Sequence, residues 1–191
     1  GTSAENVLNG LVTINNQLYY YKQNVAQSGW QQIDDRQYYF DADGAAVYGW
    51  QTIDGKRNYY VNGEAVEMVE ADALRKQIVK ALKKLDSSLL IDEKELQVAA
   101  DIRAFEGIRR SDSIRPNSTY FTSILDELNI EYRDAKETIC VNVDTADDVV
   151  KQLEADYVFM KALHDQAFTK VAIGIAKGNE SIQVHILLIE E

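Results

Sequence analysis

Apolar and polar residues follow two different periods along this chain, and the change falls near residue 67. Before it, short alternating runs are punctuated by Asn, Asp and Gly, the pattern of strands joined by tight turns. Gly10-Leu11, Gly29-Trp30 and Gly49-Trp50 recur about 20 residues apart, a fixed spacing that marks a repeat array. Ile14, Ile33 and Ile53 each follow three residues later, and then come the pairs Tyr19-Tyr20, Tyr38-Tyr39 and Tyr59-Tyr60. Asn15-Asn16, Asp34-Asp35 and Asp54-Gly55 supply the turn inside each unit, and Asn24, Gly44 and Gly63 a residue able to take positive φ after it. Each unit is therefore expected to be a β-hairpin. A lone hairpin is marginal, so the units are expected to stack their aromatic faces as a small β-hairpin solenoid over residues 1–67.

From residue 70 the period becomes helical. Leu74, Ile78, Leu82 and Leu85 are spaced four, four and three apart on one face. Asp92 stands three residues before Glu95 as a capping box, and Leu96, Ala99, Arg103 and Glu106 then share one stripe. A shorter helix is expected from Ser118, with Tyr120, Phe121, Ile124, Leu125 and Leu128 inward, and another from Thr145, with Val149, Val150 and Leu153. Ile139 to Val143 reads as a strand. Val171, Ile173 and Ile175 alternate, as do Ile182, Val184, Ile186 and Leu188, and Gly178-Asn179 joins them as a hairpin. Helices first and an antiparallel pair last predict an α+β, α-β-α sandwich over residues 68–191.

Composition sharpens the division. Both tryptophans and eight of the eleven tyrosines precede residue 65. The net charge of −11 argues against a nucleic-acid partner, since no basic face of any length is present to meet a polyanion. No run approaches the roughly 18 apolar residues of a membrane span. One cysteine, Cys140, excludes an intrachain disulfide and leaves the compartment open. Gly1 reads as a residue left by tag removal.

The string Gly49-Trp50-Gln51-Thr52-Ile53-Asp54-Gly55-Lys56, followed by Tyr59-Tyr60, resembles the cell-wall-binding and glucan-binding repeats, and also the receptor-binding repeats of large glucosylating toxins. The resemblance covers residues 9–67. It implies binding of sugar or choline by aromatic side chains at the junctions between repeats. A flat ring can stack on the apolar face of a sugar, or attract a quaternary ammonium through its π face. Trp30, Tyr39, Tyr48, Trp50 and Tyr60 are the candidate ligand-binding residues, set against the alternative that these rings serve only as the core of the repeats. Choline-type repeats carry a second tryptophan just before the tyrosine pair, where this chain has Gln37 or Asn58, so carbohydrate is favoured over choline. Leu11 in place of Trp makes the first repeat an expected cap.

Ala100 to Glu106, Ser111-Asp112-Ser113-Ile114-Arg115-Pro116-Asn117, Lys136-Glu137-Thr138-Ile139-Cys140 and Phe168 to Gly174 follow in order. Together they resemble the motifs of the CAP superfamily, or SCP domain, in its secreted bacterial form. In that family two histidines and two acids converge in a cleft, side chains suited to holding a metal or exchanging protons. Here Ser113 and Phe159 fall on the histidine positions, while Glu106, Glu137 and Asp156 keep carboxylates, so the expectation is a remnant cleft of Glu106, Ser113, Glu137 and Asp156. No catalytic residue, metal or cofactor is assigned. Glu106 has as its plain alternative a pairing with Arg103 or Arg115, and Glu137 the capping of a turn. His164 is expected on a solvated loop, His185 beside inward residues of the last strand, and Cys140 as a small buried hydrophobe.

The expected function is that of an extracellular, secreted or wall-attached bacterial protein. Its repeats would bind cell-wall or host-surface carbohydrate, and its CAP-like domain would recognise a protein partner without catalysis. The competing reading is a wall-directed hydrolase using Glu106 and Glu137 as an acid and base pair.

Overall fold

The computed structural model describes residues 6–67, 71–91 and 94–191. It divides into two compact units, residues 1–66 and 67–191.

In the first unit, β1 (Gly10–Ile14) pairs antiparallel with β2 (Gln17–Lys22), which β3 (Val25–Ala26) extends. β4 (Gly29–Ile33) pairs with β5 (Arg36–Phe40), and β6 (Gly49–Ile53) with β7 (Lys56–Val61) and then β8 (Glu64–Ala65). The turn residues behave as their chemistry dictates, with Asn15 and Asn16 at φ 50° and 63° and Asp54 and Gly55 at 52° and 79°. Hydrogen bonds tie one hairpin to the next: Ala46 N–H donates to Leu18 O (2.8 Å), and Tyr39 N–H to Gly63 O (2.8 Å). At Gly63 (φ 83°) a Cβ would lie 3.1 Å from Tyr39 O, so this close passage needs glycine twice over, for its dihedral and for its lack of side chain.

The strand register does not follow the tyrosine pairs as they recur in the sequence. Leu11, Trp30 and Trp50 stand opposite Tyr20, Tyr39 and Tyr59. The third tyrosine pair is therefore one residue out of phase with the others. Tyr60 is the counterpart of Phe40 and Tyr21, each opposite a glycine, and like Phe40 it is buried.

The second unit is built on one sheet. Its elements are α1 (Asp72–Leu85), β9 (Leu90–Ile91), α2 (Glu95–Arg109), α3 (Ser123–Glu127), β10 (Asp134–Val143), α4 (Ala146–Ala155), α5 (Tyr157–Leu163), β11 (Phe168–Lys177) and β12 (Ile182–Glu190). Strand order is β10-β12-β11-β9, antiparallel except for the short parallel pairing of β9 with β11. Cys140, Val171, Ile173, Ile175, Val184, Ile186 and Leu188 cover one face. They pack on Ile78 and Leu82 of α1, Val149 and Leu153 of α4, and Phe159 and Leu163 of α5. α2 lies across the other face, where Gly174 of β11 lets Ala100 come so near that a Cβ would sit 1.9 Å from Ala100 O. The helix expected from Thr145 is α4, and Thr145 caps it with a reciprocal box to Asp148.

One expectation needs revision, two elements are unannounced and one expectation lies out of reach. The helix expected from Ser118 begins only at Ser123. Ser118 takes φ 66°, Ile114 bridges to Tyr120, and Phe121 N–H donates to Ser113 O (2.8 Å), so residues 113–121 fold as a hydrogen-bonded loop and Tyr120 is 54% exposed. β9 and α5 are elements that the periodicity did not announce, being two and seven residues long. The capping role given to Asp92 lies outside the described residues.

Candidate functional sites

The aromatic candidates of the first unit form two groups. Trp30 meets Tyr39 edge-on at 5.0 Å between ring centroids and the buried Tyr60 of the next hairpin at 6.5 Å. Its indole N–H donates to Asp54 Oδ2 (2.8 Å), which fixes the ring's orientation. Trp50 meets Tyr59 edge-on at 5.5 Å, and Tyr59 meets Tyr48 at 6.3 Å. The two indoles remain 43% and 41% exposed although tyrosines pack against them. Large apolar rings left in water while their neighbours are buried offer a stacking surface. Tyr60, 1% exposed, supports Trp30 from behind and presents little to a ligand. Tyr59 takes the place beside Trp50 that Tyr39 takes beside Trp30, and Asp54 and Arg57 join the groups. These three were missed because the shifted tyrosine pair hid the register.

In the second unit, α2 aims Arg103 and Glu106 at the sheet, and β10 and β12 present Glu137 and His185 toward them. Arg103 donates from Nε to Glu137 Oε2 (2.7 Å) and from Nη2 to Glu137 Oε1 (2.8 Å), a two-pronged pairing. Its Nη1 also donates to Glu106 Oε2 (3.2 Å) and its Nη2 to Asp112 O (2.8 Å). Arg115 reaches Glu106 from the other side, its Nε donating to Oε1 at 3.0 Å, and its Nη1 donates to Glu127 Oε1 (2.7 Å) and Ser123 Oγ (2.8 Å). Arg103, Arg115, Glu106, Glu137 and His185 all have side chains shut off from solvent. His185 Nδ1 lies 3.3 Å from Glu137 Oε2, and its Nε2 lies 3.1 Å from Gln183 Oε1, with Gln183 in turn bonded to Ser111. Gly107 makes room for this chain, since a Cβ there would meet His185 Nε2 at 2.3 Å.

The expected remnant cleft is only partly assembled. Glu106 and Glu137 come together, but through Arg103 as a bridge. Glu137 lies mid-strand and caps no turn. Asp156 stands on the opposite face of the sheet, where it accepts from Thr138 Oγ1 (3.0 Å) and caps α5 through Phe159 N–H (3.0 Å). Ser113 uses its backbone carbonyl to accept from Phe121 N–H (2.8 Å) in the loop, and it is the carbonyl of the preceding Asp112 that meets Arg103. His185, set aside in the sequence as a ligand, is the partner of Glu137; its signal was a polar pair, Gln183 and His185, within an otherwise apolar alternating strand. His164 is exposed at the end of α5, and Cys140 is fully buried.

Burial is the strongest influence on each ionisable group here. It raises Glu106 above the usual carboxylate range in spite of Arg115 and Arg103. It pushes Glu137 up too, but hydrogen bonds from His185 and Arg103 outweigh it and leave Glu137 low. It depresses His185, which Glu137 only partly offsets and Arg103 reinforces. The Cys140 thiol, buried and near Asp156, is pushed up to about 12, which removes thiolate chemistry at neutral pH. Among the described residues no three of His, Cys, Asp or Glu converge as a metal site.

A pH dependence follows from His185. Because folding lowers its pKa, the unfolded chain binds the extra proton first, and stability falls as pH drops below about 6.5, the ordinary histidine value. His185→Gln is expected to flatten this fall by up to about 1.4 kcal/mol per pH unit, the limit for one proton. Denaturant unfolding from about pH 7.5 to about pH 5.5 measures the slope. Equal slopes for the two proteins would remove His185 as its source.

Comparison with known proteins adds the following. The family model of the choline-binding repeat matches residues 27–67, which span the second and third hairpins but not the first. Comparison with curated proteins gives no match. Among solved structures, an extracellular protein containing an SCP domain from Bacillus anthracis is similar at 13% identity and TM-score 0.51, over 95% of this chain and 66% of that one. An outer surface protein of Borrelia burgdorferi is similar at 19% identity and TM-score 0.50, over 63% of this chain and 90% of that one. The choline binding domain of a Streptococcus pneumoniae protein is 25% identical over 32% of this chain and 98% of that one, with TM-score 0.30. The likenesses to the Bacillus and Borrelia proteins are ones of fold. The resemblance read from the sequence therefore has a counterpart in each part of the chain, a choline-binding repeat early and an SCP-type α+β fold. No helix among the described residues is long and apolar enough to cross a membrane.

Proposed function

We propose that residues 1–67 and 68–191 act as two modules of an extracellular bacterial protein, the first a short hairpin solenoid that binds surface carbohydrate, the second a CAP-like domain that recognises a partner without catalysis. The observation that carries the first part is the pair of exposed indoles, Trp30 and Trp50, each packed against a tyrosine yet about two-fifths open to solvent. The choline-binding repeat match over residues 27–67 supports the same use of these rings. Carbohydrate is preferred to choline because Gln37 and Arg57, which precede the equivalent segments Tyr38-Tyr39 and Asn58-Tyr59, supply no further aromatic wall. The hydrolase alternative finds no support in Glu106 and Glu137, which are fully buried and share one guanidinium, whereas an acid and base pair must reach substrate.

Trp30→Ala and Trp50→Ala are each expected to weaken binding to bacterial wall polysaccharide at least about tenfold, the loss typical of a central aromatic contact. Glycan-array and wall-pulldown binding of the whole chain measures this, with circular dichroism confirming that each variant is folded. Undiminished binding by both folded variants would leave the rings as core and spacer only.

A further inference from the structure

Trp30 and Trp50 hold the same register position in successive hairpins, yet one of them already has an occupant. The guanidinium carbon of Arg57 lies 4.2 Å from the centroid of the Trp50 ring. Arg57 stands two residues before Tyr59 on β7, so both side chains leave the same side of the strand, and Tyr59 is the cross-strand partner of Trp50. The corresponding residue opposite β4 is Gln37, which carries no charge. Arg57 is exposed and makes no ion pair among the described residues, so no carboxylate draws it to this place. A planar cation laid on an indole is a stable arrangement in its own right, and it uses the same face that a ligand cation would need.

We propose that Arg57 is a specificity-determining residue of the third hairpin: it occupies the cation-accepting face of Trp50, excludes quaternary ammonium ligands there, and leaves that ring to neutral polyols. The exclusion is one of charge: the guanidinium repels a second cation brought to the same face. Neutral sugars meet no such repulsion, and the guanidinium N–H groups can donate to their hydroxyls. Trp30 differs in having a carboxylate, Asp54, on its indole N–H. This inference rests on the proposed ligand-binding use of the exposed indoles.

The test uses the whole chain with Trp30→Phe, so that Trp50 alone supplies tryptophan emission, titrated with tetramethylammonium chloride against sodium chloride at equal ionic strength. With Arg57 present no saturable change is expected. Arg57→Gln is expected to give saturable quenching, an apparent affinity gain of at least about tenfold. Arg57→Lys, which keeps the charge, is expected to stay close to the Arg57 protein. The Trp50 indole N–H resonance reads the same response in chains that keep Trp30, should Trp30→Phe not fold. Matching curves with Arg57 and with Gln at this position, whether both bind or neither does, would overturn the assignment. Polysaccharide binding by Trp30→Ala and Trp50→Ala decides the ligand reading, and the ammonium titration decides Arg57 separately.

Discussion

Arg103→Ala is expected to destabilise the second unit by about 3–5 kcal/mol, the cost of leaving buried charge without its partner. Arg103 touches both Glu137 and Glu106, at 2.7 Å and 3.2 Å, and neither carboxylate has access to solvent. Without the guanidinium, Glu137 keeps His185, which burial holds neutral at neutral pH, and Glu106 keeps Arg115. The carboxylates must then take up protons or draw water between α2 and the sheet. Denaturant unfolding followed by the helical circular-dichroism signal measures the loss, since the helices of the described residues all belong to this unit. A loss below about 1 kcal/mol would show that the site relaxes and that apolar packing alone seats α2. Glu137→Gln, which keeps a hydrogen-bond acceptor and removes one charge, is expected to fall between the two proteins.

Gly174→Ala is expected to cost about 4 kcal/mol or more, or to prevent folding of the second unit. The reason is steric. The added Cβ would lie 1.9 Å from Ala100 O and 2.7 Å from Asp101 N, both backbone atoms inside a helix that cannot bend aside singly. α2 as a whole would have to rise from the sheet, and the close packing of the interior resists such a shift. It would also stretch the Arg103 and Glu137 pairing, so the two predictions are coupled. Soluble yield and thermal unfolding test this. A variant that melts within a few degrees of the parent would mean that helix and sheet can separate at little cost.

Much of the fold was legible because it depends on local chemistry. The Asn and Asp turns, the spacing of Leu74 to Leu85 and the alternation in β11 and β12 each act within a few residues. What failed depended on partners far along the chain. Tyr59-Tyr60 looks like the other tyrosine pairs, but backbone pairing sets Tyr59 against Trp50 and sends Tyr60 inward. Asp156 falls at a position that the family motif favours, yet strand alternation places its partner Thr138 on the far face from Glu137. His185 gains its role from Glu137, 48 residues away. Ser118, at positive φ, stopped a helix that Tyr120 and Phe121 seemed to begin, since their apolar spacing is equally compatible with a bridged loop.

The charged quartet of Arg103, Glu106, Arg115 and Glu137 also has a consequence for descent. Each member has its charge paired with another of the four, so loss of any one leaves a buried charge short of a partner, at a cost that is a large share of a domain's total stability. Apolar residues of similar volume can replace such a set at little cost, but only when they arrive together. A lineage changing one codon at a time meets a barrier between two stable solutions. Related chains are therefore expected to carry the quartet whole or to lack it whole, with intermediate sequences rare.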